Sequence, residues 1–161
     1  MKMTEGVEWA LHASLNLAWV ADGQAVPAAT LAAFYELPPA YLNKQLQALT
    51  RAGILTSTPG PRGGFRLARP PEEITLLDVV VAIEGTEEAF RCTEILRQGP
   101  GGEPDIDYRK SCVISQTMRQ AELGWRQELA LRSLADIKAT VERMWPVTPA
   151  QTRHHFAALR G

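Results

Sequence analysis

The sequence has only two cysteines, Cys92 and Cys112, in 161 residues. That is too few for a disulfide framework, and in a reducing compartment the pair reads as thiols with a job or as ordinary buried residues. No apolar run reaches the roughly 18 residues of a membrane crossing, and the start of the chain lacks the charged-then-apolar pattern of a secretory signal. A cytoplasmic protein without a membrane partner is expected. At 17.7 kDa the chain can hold one core, or one core with a helical arm, but not a second catalytic domain. Acid is missing locally: between Leu37 and Pro71 stand Lys44, Arg51, Arg62, Arg66 and Arg69 with no Asp or Glu, although the whole chain has a formal net charge of only −1. Phosphate neutralisation requires such a local excess of cations. Proline is absent between positions 113 and 145, which leaves room for a long helix.

The most informative stretch, 27–68, predicts two short helices, a capped stop and a glycine-rich hairpin. Leu31, Phe34 and Tyr35 recur at helical spacing, and Pro38-Pro39 suits the start of a second helix. In that helix Leu42, Leu46 and Leu49 share a face, which leaves Tyr41, Lys44, Gln45 and Arg51 elsewhere until Gly53 supplies a left-handed stop. Two strands, 54–57 and 65–67, are joined through Pro59-Gly60-Pro61-Arg62-Gly63-Gly64. No Gly-Lys-Ser/Thr follows these glycines, so a hairpin suits them better than a phosphate loop. The order helix, turn, helix, hairpin is that of a winged helix-turn-helix that binds DNA.

Elsewhere, Thr4 is expected to cap a first helix that runs to about Val20 before Asp22-Gly23. On it Glu8 and His12 are four apart and share a face, with Trp9 about 100° round the helix from Glu8. Taken alone they are an exposed acid-imidazole pair. Thr75 and Asp78 suggest a capping box for a buried helix ending at Gly85. An irregular segment, 86–111, follows, with Cys92 near its start and Cys112 just past its end, and a bound metal would give it an anchor. From 113 to 145 two apolar rows are offset by a small slip, Ile114-Met118-Ala121-Trp125 and then Ala130-Leu134-Ile137-Val141-Met144. One helix there would run ~45 Å, too long for the domain to cover, so its stripe predicts a second subunit, the alternative being a monomer with this helix folded back. The tail predicts a short helix capped by Thr148, with His154-His155 at the surface. The class is therefore mainly α with a small β wing. Its parts are a winged helix-turn-helix domain (1–85), a cysteine-bearing loop (86–112), a long dimerisation helix (113–145) and a tail (146–161).

The blocks L-P-P-A-Y-L-N-K-Q-L-Q-A-L-T-R-A-G-I-L, P-G-P-R-G-G-F-R-L and E-I-T-L-L-D-V-V-V-A-I-E-G resemble the bacterial winged-helix regulators of the IscR/NsrR kind over 1–141. V-E-W-A-L-H and C-T-E-I look most like the redox-sensing members. The resemblance implies a homodimeric repressor or activator on a double-stranded DNA operator, with a 2Fe-2S cluster in many members. Cluster-binding members commonly carry three cysteines in this loop; here Tyr108 stands where the middle one would be. A 2Fe-2S cluster takes four protein ligands and accepts imidazole in place of thiolate. Glu8 and His12 are the candidates to complete the set with Cys92 and Cys112, shared across the dimer as the family architecture implies. Such a set should raise the reduction potential above that of an all-cysteine cluster. Tyr41, Lys44 and Gln45 are the candidates for base edges, Arg62 and Arg66 for the minor groove or phosphate, and Lys2 for phosphate. Trp9 is either a lever between cluster and DNA or plain core. Two other readings stay open: the cysteines as a thiol switch or, with His12, a zinc site, and a Cys/His enzyme, for which no further catalytic constellation exists.

Overall fold

The computed structural model describes residues 3–20 and 24–159. Helices α1 (Glu5–Leu17), α2 (Ala28–Phe34) and α3 (Pro39–Arg51) come first, followed by strands β1 (Leu55–Thr58) and β2 (Gly64–Leu67) and helix α4 (Leu76–Glu84). The chain continues through α5 (Tyr108–Ser111), α6 (Val113–Ala130), α7 (Leu134–Met144) and α8 (Thr148–Ala158), with single 3-10 turns at Pro71–Glu73 and Ile95–Gln98. The architecture is mainly helical with a small β wing. Leu31, Leu42, Leu46, Leu49, Ile54 and Val79 are almost entirely buried and join α2, α3 and α4 in one core with α1 behind them. The Asp22-Gly23 stop and Lys2 lie outside the described residues.

Both helices of the helix-turn-helix end in the same hydrogen-bond motif. After α3, the Gly53 N–H donates to the Thr50 carbonyl and the Ile54 N–H to the Leu49 carbonyl, with Gly53 at φ 72°. After α2, the Glu36 N–H donates to Ala33 and the Leu37 N–H to Ala32, but the left-handed residue is Glu36 at φ 54°. Only glycine holds that conformation without crowding between its Cβ and the backbone. A Glu36→Gly chain is therefore expected to be more stable by about 1 kcal/mol, read as a higher urea midpoint at unchanged slope.

The wing pairs Leu55 with Leu67, Thr56 with Arg66, Ser57 with Phe65 and Thr58 with Gly64. A third rung was not expected: Val26, just before α2, forms an antiparallel bridge to Phe65, with N–H to carbonyl distances of 2.8 Å in both directions. This ties the wing to the start of the helix-turn-helix. Thr75 and Asp78 form the expected capping box on α4, and Gly85 ends it at φ 87°.

The single long helix is corrected. Ser133 caps a new helix by accepting from the Asp136 N–H, while the Asp136 carboxylate accepts from the Ser133 N–H, and this box breaks the run after α6. The break is pinned to the domain, because the Leu76 N–H donates to Arg132 and the Leu134 N–H to Ile74. Leu134 is buried and Ile137 and Val141 pack on the core, so the second apolar row folds back on its own chain. Only α6 keeps an uncovered stripe, with Val113, Ile114 and Met118 exposed. Two smaller corrections concern caps. Val147, rather than Thr148, stands at the N-cap of α8, with no side-chain bond to the helix, and Thr4 stands at the N-cap of α1 as expected, but its hydroxyl donates to Glu84 Oε1 at 2.7 Å instead of accepting from the helix.

Glu142 on α7 accepts from the Trp19 indole N–H at 2.9 Å and from the Lys138 ammonium at 2.8 Å. The hydrogen bond from Lys138, then that from Trp19, holds the Glu142 carboxyl below its usual range. A depressed folded-state pKa stabilises above the unfolded value and is lost as pH falls through the folded value. Glu142→Gln should thus melt below wild type at neutral pH. The gap should close as pH drops below the ordinary glutamate value of about 4.3, checked by thermal melts across a pH series.

Candidate functional site

The DNA-facing candidates are set by which face of α3 the core uses. Leu42, Leu46 and Leu49 point inward, and Asn43, Lys44, Gln47 and Arg51 are exposed on the opposite side. At 100° per residue Ala40, Lys44, Gln47 and Arg51 cluster around the direction opposite the leucines, with Asn43 at the edge of that face. Gln45 is the exception among the sequence candidates and is corrected: it is only 6 % exposed. A Cβ on Gly6 of α1 would lie 2.9 Å from the Gln45 Cδ, so the glycine leaves a notch that the Gln45 side chain fills. Its amide is turned toward α1 rather than outward. Tyr41 is exposed but flanks the face, with its ring edge-on to Trp9 at 4.6 Å between centroids.

Arg62 at the tip of the wing and Arg66 on β2 are both exposed. Among the described residues, Lys44, Arg51, Arg62 and Arg66 make no ion pair or side-chain hydrogen bond, so their donors are free. Arg69 differs: it donates to the Glu73 carbonyl at 2.6 Å and pairs with Asp78 at 3.4 Å, which fixes the exit from the wing. The acid-free stretch therefore presents four free cations rather than five.

Helix α1 touches the helix-turn-helix along its length. Besides Gly6 on Gln45 and Trp9 on Tyr41, the Asn16 Nδ2 donates to the Tyr35 hydroxyl at 2.9 Å, and that hydroxyl lies 3.5 Å from His12 Nδ1. Burial raises the Tyr35 phenol pKa, opposed in part by the Asn16 bond. Tyr35 caps the end of α2, so one residue joins α1 to the turn of the helix-turn-helix. In the sequence Tyr35 stands out only by its helical spacing from Leu31. Glu8 and His12 are both exposed and line one shallow depression with Met3, Thr4, Glu5 and Leu11. With Nδ1 facing Tyr35, the His12 Nε2 is the nitrogen left for another partner.

Cys92 and Cys112 line a second cavity of about 620 Å³, walled by Phe90, Ile95, Ile106, Tyr108 and Ile114 among others. Both thiols are free and partly exposed. Cys112 stands at the N-cap position of α6, with no side-chain bond to the helix, and the Cys92 Sγ lies 4.0 Å from the Tyr108 carbonyl. Tyr108, at the place of a family cysteine, is buried, and its hydroxyl accepts from the Glu103 N–H at 2.8 Å. Arg126 of α6 donates to the Thr86 and Glu87 carbonyls at 3.3 and 3.2 Å, anchoring the start of the loop. Within one chain the two pairs are not brought together: among the described residues no three His, Cys, Asp or Glu side chains converge on a point that could hold a metal.

A helix-turn-helix with a wing tied to its first helix, a basic face and no opposing acids defines a winged-helix DNA-binding protein. The chain belongs to the Rrf2 family, described as iron-dependent transcriptional regulators, whose pattern it matches over residues 3–140. It is 36% identical over 137 residues to slr0846 of Synechocystis sp., whose name describes an HTH-type transcriptional regulator, covering 85% of this chain and 87% of that one. Protein rrf2 of Nitratidesulfovibrio vulgaris is 34% identical over 137 residues, with coverage of 85% and 87%. In fold the chain is similar to T. potens IscR, with a TM-score of 0.66 at 21% identity over 90% of this chain and 91% of that one. It is also similar to CymR, the global cysteine regulator of B. subtilis, with a TM-score of 0.64 at 20% identity over 87% and 98%. The protein is a DNA-binding transcription regulator and not an enzyme. No helix among the described residues is long and apolar enough to cross a membrane.

Proposed function

We propose that the protein is a homodimeric regulator whose grip on its operator is set by a 2Fe-2S cluster. Glu8 and His12 of one copy and Cys92 and Cys112 of the partner subunit hold each cluster. The observation that carries this reading is the division of the donors into two open halves: an acid-imidazole pair on α1 and a thiol pair in the cavity beside α6. Neither half can satisfy a metal alone, whereas together they offer two sulfurs, one nitrogen and one oxygen, the number a 2Fe-2S cluster needs. The exposed Val113, Ile114 and Met118 stripe supplies the contact between copies, at the same end of α6 as Cys112.

The cluster would supply a one-electron change of charge at the junction of the two copies. The residues of the chain do the rest. Tyr35 fixes the His12 ring so that Nε2 faces outward. Helix α1 carries any displacement of the Glu8 to His12 turn to Tyr35 at the end of α2 and, through Trp9, to Tyr41 on α3. The two recognition helices would then move relative to each other, and half-site fit depends on that spacing. Trp9→Ala that leaves the redox dependence of operator binding unchanged would remove Trp9 from this route.

The test is a visible absorption spectrum of protein purified without oxygen, with iron and sulfide counted per chain, on wild type and on Glu8→Ala, His12→Ala, Cys92→Ala and Cys112→Ala. A coloured wild type with about two irons per chain, altered by each substitution, is expected. A colourless protein that carries zinc, which accepts the same mixed donor set, or no metal would overturn the cluster and leave a zinc or thiol switch.

A further inference from the structure

We infer that the specificity of DNA reading lies in an amide pair, Asn43 and Gln47, set for two adenines with a guanine read by Lys44 between them. This rests on the reading of α3 as the helix that enters the major groove. The positions follow from the packing. A helix lying in the major groove presents residues at i, i+3, i+4 and i+7 to base edges, as the homeodomain recognition helix does. On α3, on the side away from the buried Leu42, Leu46 and Leu49, the quartet with that spacing whose four members are all exposed is Ala40, Asn43, Lys44 and Gln47; the next one along, Lys44, Gln47, Ala48 and Arg51, includes the half-buried Ala48. Gln45 is committed to the Gly6 notch and Tyr41 to the Trp9 edge, so neither sits at the centre of this face.

The chemistry of the quartet selects bases. An Asn or Gln amide carries one donor and one acceptor side by side, matching N7 and the N6 amino group of adenine; an ammonium only donates, matching O6 and N7 of guanine; a methyl packs on the thymine methyl. The Asn43, Lys44 and Gln47 side chains make no hydrogen bond or ion pair among the described residues, so no internal contact has to be broken for them to meet DNA. A carboxylate to accept from the cytosine amino group is missing from the face, since no Asp or Glu occurs between Leu37 and Pro71. Four residues of helix rise about 6 Å, close to two base steps of about 3.4 Å each. The half-site therefore carries two adenines about two steps apart, with the guanine between them, and a thymine methyl under Ala40.

The experiment is selection of bound duplexes from a randomised double-stranded DNA pool by the full-length protein. It is run anaerobically under oxidising and under reducing conditions, for wild type, Asn43→Ala, Gln47→Ala and Gln47→Glu. Gln47 and Asn43 are exposed, and equal thermal melts establish that each variant is folded. Wild type is expected to enrich the adenine-guanine-adenine pattern. Gln47→Ala should lose preference at one outer position by roughly tenfold or more, Asn43→Ala at the other, and Gln47→Glu should turn its position toward cytosine. Unchanged preferences in all three variants, with wild type still selective, would overturn the amide pair while leaving DNA reading by this protein intact. A wild type that binds every duplex equally in both redox states would overturn the reading of α3 as the recognition helix, and the amide pair with it.

Discussion

A Gly64→Ala chain is expected to lose about 3 to 5 kcal/mol of stability and, with it, the wing. The reason is geometric. A Cβ at position 64 would lie 2.3 Å from both the carbonyl carbon and the oxygen of Val26, and the backbone there has φ 137°. Both obstacles are main chain, so no rotamer change relieves them. The clash falls on the rung where Val26 and Phe65 exchange two hydrogen bonds, with Val26 fully buried and Phe65 5% exposed. Gly63 is held as tightly, since its Cβ would come within 2.1 Å of the Thr58 oxygen. Gly60→Ala is the contrast: φ is 97° but nothing lies within 4 Å, so only backbone strain of about 1 to 3 kcal/mol applies. Thermal melts order the three chains, and a Gly64→Ala protein as stable as Gly60→Ala would refute the close approach of the wing to Val26.

The double variant Arg62→Ala/Arg66→Ala is expected to keep its fold and lose operator affinity on the order of 100-fold at physiological salt. Both side chains are exposed and unpaired among the described residues, so their removal leaves the core untouched. If they meet phosphate, each lost contact lowers the slope of log affinity against log salt by about 0.9, so two per half-site lower it by about 3.6 for a dimer on both half-sites of an operator. Arg69→Ala is the counterpart: it loses the Glu73 and Asp78 partners and should change stability more than the salt slope. Titration of operator DNA at several salt concentrations separates the two. Equal slopes for wild type and the double variant would take the wing off the DNA.

These outcomes follow from features of unequal legibility. The helix-turn-helix could be read directly, because Leu42, Leu46 and Leu49 at helical spacing, Pro38-Pro39 and Gly53 each fix one local decision. The break at Ser133 was also written in the chain: S-L-A-D carries the same capping signature as T-L-L-D at Thr75, and the slip between the two apolar rows marks its position. It was masked by good helix formers on both sides. The Val26 rung was not legible, since one bridging residue shows no alternation. Gln45 needed tertiary knowledge, for a glutamine is rarely buried; the hint was a glycine at position 6 in an otherwise regular helix, which signals close approach of another element. The candidate ligands lie in two places that a single chain does not join, so neither periodicity nor spacing could pair Glu8 with Cys92. That pairing rests on resemblance and on the donor count.

The pairing of the two half-sites is tested most directly by a mixed dimer. One chain carries Glu8→Ala/His12→Ala, the other Cys92→Ala/Cys112→Ala, and the two are co-expressed with different tags and purified together without oxygen. If the ligands of each site come from both copies, one site of the mixed pair keeps all four and the other keeps none. The mixed dimer should then be coloured, with about two irons and two sulfides per pair, while each variant alone is colourless. A mixed dimer as colourless as its parents, beside a wild type that holds iron, would contradict a cluster shared between the two chains.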